Sequence, residues 1–166
     1  MATQTMTERE AYLATFEREY QSTLRLLKNY PSDKLDIQPV DTLPNARNLI
    51  WMLVISQGVV QALLGPELGP VSPPEAPKTL AELIGAFEQT HRESVAKVSA
   101  ISESDFNGTI KMPVGPRQMG DVRRGDALWM MLYDTIHHRG QLTVYTRKAG
   151  GIVPSIYGPT REQPWW

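Results

Sequence analysis

Residues 128–145 read LWMMLYDTIHHRGQLTVY, and the apolar residues among them recur at the spacing of an α-helix. The predicted inward stripe of this helix consists of Leu128, Met131, Asp134, His138, Leu142 and Tyr145. Two members of that stripe, Asp134 and His138, are ionisable and lie four residues apart, which places them one above the other on the same face. We therefore expect both side chains to point into the interior of a helical protein, from a helix that extends over residues 125–149.

The rest of the sequence predicts three further helices, over residues 7–29, 45–64 and 79–101. Thr7 with Glu10, and Thr79 with Glu82, have the spacing of capping boxes, which mark the starts of the first and third helices. The second helix is apolar on nearly every side, which is typical of a buried helix.

The segments between these helices differ in character. Residues 65–78 contain five prolines, so they cannot form a helix, and their length predicts a crossover along the bundle. Residues 102–124 are polar and rich in glycine and proline, and we predict no sheet there. The tail, residues 150–166, keeps several large apolar side chains and is predicted to pack on the bundle. The whole chain, residues 1–166, is thus predicted to be one all-α four-helix-bundle domain with a long crossover connection.

Composition excludes several classes of function. Hydrophobic residues make up 41% of the chain, charged residues 21%, and the formal net charge is −1, which provides no electrostatic footprint for nucleic acid or an anionic membrane. The absence of cysteine excludes disulfides, thiolate metal sites and a cysteine nucleophile. The longest apolar run, residues 49–55, is too short to span a bilayer, and the polar N-terminus lacks the apolar core of a signal peptide. We expect a cytoplasmic protein with neither a nucleic acid nor a membrane as partner.

The Asp134 and His138 pair has two chemical interpretations. A buried carboxylate costs about 3 kcal/mol or more unless it is paired with a charge or bound to a metal. His138 can serve as that partner in a pair that only orients the core. Alternatively, a divalent cation bridges the two side chains, since carboxylate and imidazole together suit zinc, nickel, manganese or iron.

The neighbours of the pair have more ordinary interpretations. His137 is turned about 100° away on the helix and is predicted to flank the pair without a chemical role. Arg139 is expected to form an ion pair at the surface or with the tail. Gly140 costs about 1 kcal/mol inside a helix relative to alanine, and tight helix packing is the expected reason for its presence.

The C-terminal part of the chain resembles a known family. Residues 134–145, DTIHHRGQLTVY, followed by Arg147 and by GGIVPSIYGP at residues 150–159, resemble the C-terminal signature of DinB-like proteins, also known as metal-dependent hydrolases of the YfiT type. The resemblance implies a four-helix bundle with a long crossover, often as a homodimer. It also implies a divalent metal, usually nickel or zinc, bound by one histidine of the second helix and two residues four apart in the fourth. That fourth-helix pair corresponds to Asp134 and His138.

The second helix departs from this ligand pattern. Residues 44–64 contain no histidine, and the expected ligand position is best matched by Met52, whose thioether is a poor ligand for zinc or nickel. The other candidates for a third ligand are Gln57, in the same apolar stretch, and His91, on the predicted inner stripe of the third helix. The three-ligand site implied by the resemblance is therefore incomplete.

Two classes of function follow from the resemblance. The first is an enzyme, either a metal-dependent hydrolase or a thiol-dependent transferase, acting on a small molecule or a thiol. Its metal-free variant would use His138 as a general base oriented by Asp134. The second is a non-catalytic, stress-related binding or dimerisation module that kept the fold and lost the metal, which Met52 at the ligand position favours.

Overall fold

The structure is a computed structural model that describes residues 5–69 and 72–166, and helices account for most of this part of the chain. The helices are α1 (Glu8–Lys28), α2 (Ala46–Ala62), α3 (Leu80–Ala100), α4 (Glu103–Asn107) and α5 (Arg124–Lys148). The strands are β1 (Thr109–Gly115) and β2 (Gln118–Arg123). The predicted crossover includes Pro70 and Val71, which lie outside the described residues.

Side chains at the helix starts account for where α1 and α3 begin. The hydroxyl of Thr7 accepts from the backbone N–H of Glu10, whose carboxylate accepts from the backbone N–H of Thr7. Thr79 and Glu82 form the same reciprocal pair before α3. Each capping box satisfies backbone donors that have no partner within the helix.

The four long helices form a bundle in which α1 and α2 each pack on both α3 and α5, so α3 and α5 lie diagonally opposite, as do α1 and α2. α1 and α5 run in one direction, whereas α2 and α3 run in the other, as the order of core residues along each helix shows. Neighbouring helices α2 and α3 are therefore parallel. A parallel pair needs a connection that returns along the bundle, which explains the long segment between them.

The core consists of two hydrophobic clusters separated along the bundle axis. The first contains Leu24, Leu53, Phe87 and Leu142, and the second contains Phe16, Val60, Val98 and Leu132. Between the two, every long helix contributes buried polar side chains, which we call the polar layer: Glu19, Thr23, Ser56, Gln57, His91, Ser94, Thr135 and Arg139. The centre of the bundle is thus polar and its two ends are apolar.

The prediction of an all-α four-helix bundle is confirmed in part: the four long helices form the bundle, but β1 and β2 add an antiparallel hairpin between α4 and α5, so the fold is not strictly all-α. Ile110 and Met112 alternate with exposed residues and are buried in the second cluster. A two-stranded sheet is marginal in water and is stabilised here by packing on the bundle. The alternation covers too few residues of a glycine- and proline-rich segment to be recognised from the sequence.

The tail beyond α5 lies against the bundle. Val153 is buried in the first cluster, and the carboxylate of Glu162 accepts from the guanidinium of Arg147 at 2.8 Å. Tyr157 reaches the polar layer, as described below. Across residues 5–69 and 72–166, no helix combines the length and the apolar character needed to cross a membrane.

Gly125 allows the start of α5 to approach α4 closely. A Cβ atom at this position would lie 2.6 Å from Cε1 of Phe106, which is fully buried. We predict that Gly125→Ala lowers the free energy of unfolding by about 1–3 kcal/mol, because the aromatic ring must shift. The matched control is Gly85→Ala in α3, where no atom lies within 4 Å of the added Cβ and stability should rise by about 1 kcal/mol. Urea unfolding measures both, and equal effects would contradict the packing described here.

Candidate functional site

The buried face of α5 is not the stripe that the sequence predicts. Leu128 and Leu142 are buried as expected, but the residues between them that face the core are Leu132, Thr135 and Arg139. The Asp134 side chain is 37% exposed and that of His138 is 15% exposed. The expectation that this pair points into the core is therefore wrong: it lies at the edge of α5 nearest α2.

Asp134 contacts side chains from two helices at this edge. Its Oδ1 atom lies 3.4 Å from Nε2 of His138, one turn further along α5. Its Oδ2 atom accepts a hydrogen bond from the hydroxyl of Ser56 in α2 at 2.9 Å. The carboxylate is held between the two helices while one side remains open to solvent.

His138 is oriented by a chain of polar contacts along α5. Its Nδ1 atom lies 3.0 Å from Oε1 of Gln141, and the amide nitrogen of Gln141 lies 3.1 Å from Nε2 of His137. In this arrangement Gln141 donates to His137 and accepts from Nδ1–H of His138. A neutral His138 ring then carries its lone pair on Nε2, facing the Asp134 carboxylate. The Nε2 lone pair and the Oδ1 atom, which lie 3.4 Å apart, are therefore two neighbouring acceptors that could bind a cation together.

The three candidates for a third ligand do not join this pair. Met52 lies one turn before Ser56 on the same side of α2 and is exposed, so the expected ligand position carries a thioether next to the Ser56–Asp134 contact in sequence. Gln57 is buried in the polar layer, and no hydrogen-bond partner is found for either end of its amide among the described residues. Within residues 5–69 and 72–166, no cluster of three histidine or acidic side chains is arranged to hold a metal.

His91 belongs to a different part of the bundle, since α3 lies diagonally opposite α5. Its Nε2 atom is 2.8 Å from the carboxylate of Glu17 in α1, and its ring stacks on Tyr20 with centroids 3.7 Å apart. Burial lowers the pKa of His91, although the Glu17 carboxylate acts in the opposite direction. This histidine packs between α1 and α3 rather than beside Asp134.

The donor chemistry at the edge of α5 therefore fits a cation, but the number of ligands does not match the family pattern. Asp134 and His138 provide one oxygen and one nitrogen ligand, which suits a divalent metal. A catalytic zinc site normally has three protein ligands. The described residues fit a cation with two protein ligands and solvent at its other positions, which implies weak and exchangeable binding.

The most buried charged group of α5 is Arg139, which we expected to form a surface or tail ion pair. Its Nη2 atom lies 2.8 Å from the carboxylate of Glu19 in α1, and both side chains are 2% exposed. The hydroxyl of Tyr157 donates to Glu19 at 2.5 Å and accepts from Arg139, so the tail closes over the ion pair. The pair does involve the tail, but it is buried in the polar layer.

The protonation of Glu19 is determined by these contacts. Burial favours the neutral acid, but hydrogen bonds from Tyr157 and Arg139 outweigh it, so the pKa of the Glu19 carboxyl lies below its usual range. Burial and the adjacent Glu19 charge raise the pKa of the Tyr157 hydroxyl. The Glu19 carboxyl is therefore ionised at neutral pH.

One sequence signal for this pair exists. Tyr12, Phe16, Glu19 and Thr23 have helical spacing, as do Leu132, Thr135, Arg139 and Leu142. Glu19 and Arg139 each lie in the middle of such an apolar stripe, which is compatible with a buried ion pair. The spacing alone is equally compatible with both charges facing solvent.

Comparison with known proteins identifies a matching family model and several similar proteins. The family model described as the DinB superfamily matches residues 15–142. YrdA of Bacillus subtilis (strain 168), an uncharacterised protein, is 28% identical over 156 residues, which are 92% of this chain and 89% of that protein. A DinB-like protein from Bacillus cereus ATCC 10987 has a similar structure, with a TM-score of 0.76 and 21% identity over 89% of this chain and 97% of its own.

A further similar structure is YfiT from Bacillus subtilis, described as a probable metal-dependent hydrolase with an unusual four-helix bundle topology. It aligns with a TM-score of 0.66 and 13% identity over 90% of this chain and 93% of its own. At this identity the likeness establishes the fold alone.

The buried ion pair predicts a large effect of removing one partner. Arg139→Met leaves the Glu19 carboxylate buried without a cation, and we expect the free energy of unfolding to fall by about 3–5 kcal/mol. The double variant Glu19→Leu with Arg139→Met should lose less than the single variant, because no buried charge remains.

Chemical denaturation at neutral pH measures these differences. The matched control is Arg147→Met, which breaks the more exposed pair with Glu162 and should cost about 1 kcal/mol or less. A loss in Arg139→Met no larger than in the control would contradict the role given to the buried pair.

Proposed function

Because the chain belongs to the DinB superfamily, we propose that it is a hydrolase that works with a divalent metal cation bound by Asp134 and His138. The cation would lie at the edge of the bundle between α2 and α5, where both side chains are partly open to solvent. The substrate class that fits this open edge is a small molecule. Zinc and nickel are the first cations to test, since imidazole and carboxylate ligands suit both.

The observation that carries this proposal is the contact between two hydrogen-bond acceptors. With Nδ1–H of His138 donated to Gln141, the lone pair on Nε2 faces Asp134 Oδ1 at 3.4 Å. A cation between these two atoms would convert an unfavourable contact into a favourable one. YfiT, which has a similar fold, is described as a probable metal-dependent hydrolase, and this supports the same chemistry here.

The residues around the pair have distinct tasks in this proposal. Ser56 donates to Asp134 and holds one carboxylate oxygen in place, which leaves the other directed at His138. Gln141 selects the tautomer of His138 that presents a lone pair. When bound, a cation supplies Lewis acidity and lowers the pKa of a coordinated water.

Met52 supports the competing hypothesis of a non-catalytic member of the family. Here a proton on His138 would replace the cation, and the pair would be an ordinary ion pair between imidazolium and carboxylate. A thiol-dependent transferase would use the same two ligands but would require a thiol as second substrate. The experiments below distinguish these alternatives.

We predict that the purified protein binds zinc or nickel with a stoichiometry of one per chain. Asp134→Asn and His138→Gln should each weaken binding at least about tenfold, which corresponds to about 1.4 kcal/mol. Isothermal titration calorimetry and elemental analysis measure the effect. Asp121→Asn is the matched control, because it changes an exposed aspartate that lies outside the pair.

Activity is then tested with ester and amide substrates, with and without the cation and with and without a glutathione-like thiol. Hydrolysis that depends on the cation and is lost in Asp134→Asn supports the hydrolase. A strict requirement for the thiol favours the transferase. Equal metal affinity in the wild type, Asp134→Asn and His138→Gln would refute the site and leave the non-catalytic module.

Substituting Met52 provides a gain-of-function prediction. Met52 lies one turn from Ser56, and Ser56 contacts Asp134, so a histidine at this position would face the pair. Met52→His should increase the affinity for zinc or nickel at least about tenfold, since a third ligand completes the usual set. Met52→Gln is the control of similar size, and an equal affinity in both variants would contradict this geometry.

A further inference from the structure

The polar layer contains two buried side chains with hydrogen-bonding atoms that have no partner. Gln57 is 1% exposed, and neither the oxygen nor the nitrogen of its amide has a hydrogen-bond partner among the described residues. His91 is 3% exposed, and its Nδ1 atom is unpartnered within the same part of the chain. Buried polar atoms are almost always hydrogen-bonded, because an unpaired one loses its contacts with solvent and gains none in return.

These two side chains lie at one level of the bundle. The hydroxyl of Ser94 in α3 donates to the backbone carbonyl of Gln57 in α2 at 2.9 Å. A Cβ atom added at Gly58 would lie 4.0 Å from Cγ2 of Thr90. His91 lies between Thr90 and Ser94 in α3, so its position along the bundle axis matches that of Gln57. The three unpartnered atoms therefore belong to the same part of the bundle interior, between the two hydrophobic clusters.

The protonation of His91 determines what its Nδ1 atom requires. Hydrogen bonds from Gln21 and His91 lower the pKa of the Glu17 carboxyl, so this group is ionised at neutral pH and acts as an acceptor. Nε2 of His91, which lies 2.8 Å from it, therefore carries a proton. Burial lowers the pKa of His91, so the ring holds only this one proton at neutral pH. Nδ1 is thus an acceptor that requires a donor.

The hydroxyl groups of the polar layer do not supply this donor. There are four of them among the described residues, and each donates its single proton elsewhere. They belong to Thr23, Ser56, Ser94 and Thr135. Three of the acceptors are backbone carbonyls, and the fourth is the Asp134 carboxylate. In this arrangement no hydroxyl proton of the described layer is left for the Gln57 amide oxygen or for Nδ1 of His91.

The polar layer fits a molecule that is neutral and that both donates and accepts hydrogen bonds. The charges of Glu19 and Arg139 cancel one another at 2.8 Å, so the layer has no net charge for an ion to balance. The Gln57 amide requires a donor for its oxygen and an acceptor for its nitrogen, and Nδ1 of His91 requires a second donor. The nearly complete burial of both side chains favours the smallest molecule of this kind.

We propose that the polar layer is an internal water-binding site, in which about one or two ordered water molecules bridge the amide of Gln57 and Nδ1 of His91. A buried water typically makes about three hydrogen bonds to polar groups that have no other partner. Here it donates to the Gln57 oxygen and to Nδ1, and accepts from the Gln57 nitrogen. The assignment of the two amide ends does not matter, because both are unpartnered.

The water-binding site does not depend on the proposed cation. Asp134 and His138 lie at the partly exposed edge of α5, whereas Gln57 and His91 are buried inside the bundle. Loss of either site therefore leaves the other proposal standing.

The first test counts the internal water molecules by oxygen-17 magnetic relaxation dispersion, which detects water that stays bound for longer than the protein takes to tumble. Gln57→Met removes both ends of the amide at a similar side-chain length. We expect the dispersion amplitude to fall by at least about one water molecule per chain. Gln61→Met is the matched control, because it lies one turn later in α2 and its amide already contacts Thr90 and Lys97. The control should leave the amplitude unchanged.

The second test uses the wild-type chain, so it remains decisive if Gln57→Met fails to fold. The side-chain N–H protons of Gln57 should show a nuclear Overhauser effect from water with the sign that is typical of a long-lived complex. The nitrogen-15 shifts of His91 should show a proton on Nε2 and an unprotonated, hydrogen-bonded Nδ1.

Several results would overturn the proposal. Equal dispersion amplitudes in the wild type and in folded Gln57→Met refute it, as does the absence of the Overhauser effect from water at Gln57. A crystal structure in which the Gln57 amide donates directly to Nδ1 of His91 shows that the two side chains satisfy each other without water. An ion or an organic molecule between them refutes water as the occupant.

Discussion

The ion pair between Glu19 and Arg139 is the contact on which the arrangement of the bundle depends. Both side chains are almost fully buried, and each would cost several kcal/mol if it lost its partner. The pair is satisfied only when α1 and α5 lie side by side at one axial level and Tyr157 closes over it. This one interaction thus constrains the positions of α1, α5 and the C-terminal tail. It lies in the polar layer, where hydrophobic packing does little to determine how far one helix is shifted along another.

The same constraint determines which side of α5 faces solvent. With Arg139 turned inward, Asp134 and His138 rotate toward α2, where they remain accessible and meet Ser56. The opposite side then carries Met130, Tyr133 and Val144 into solvent. The accessible position of the proposed cation site is therefore a consequence of this rotation of α5.

The second helix has no histidine at the ligand position that the sequence resemblance implies. α2 brings Ser56 to the carboxylate but offers only a thioether one turn away, at Met52. The remaining carboxylate and imidazole are the two groups that the proposed cation would bind. The contact with Gln141 directs the Nε2 atom of His138 at the carboxylate, which is the geometry on which the proposed cation site rests.

The sequence by itself determined the long helices, their capping boxes and the crossover, because helical periodicity, proline and capping chemistry act over a few neighbouring residues. It also identified Asp134 and His138 as neighbours, since both belong to one helix. Only the tertiary structure decided that Arg139 is buried, that Asp134 is at the edge, and that residues 109–123 form a hairpin. Each of these features depends on residues that are far away in the sequence. Arg139 is buried because it contacts Glu19 and Tyr157, and the hairpin forms because its apolar side chains pack on the second hydrophobic cluster. Helical spacing alone does not distinguish Asp134 and His138 from the adjacent Thr135 and Arg139 as the inward-facing residues. The Glu19 carboxylate in α1 decides between them, because it pairs with Arg139 inside the bundle.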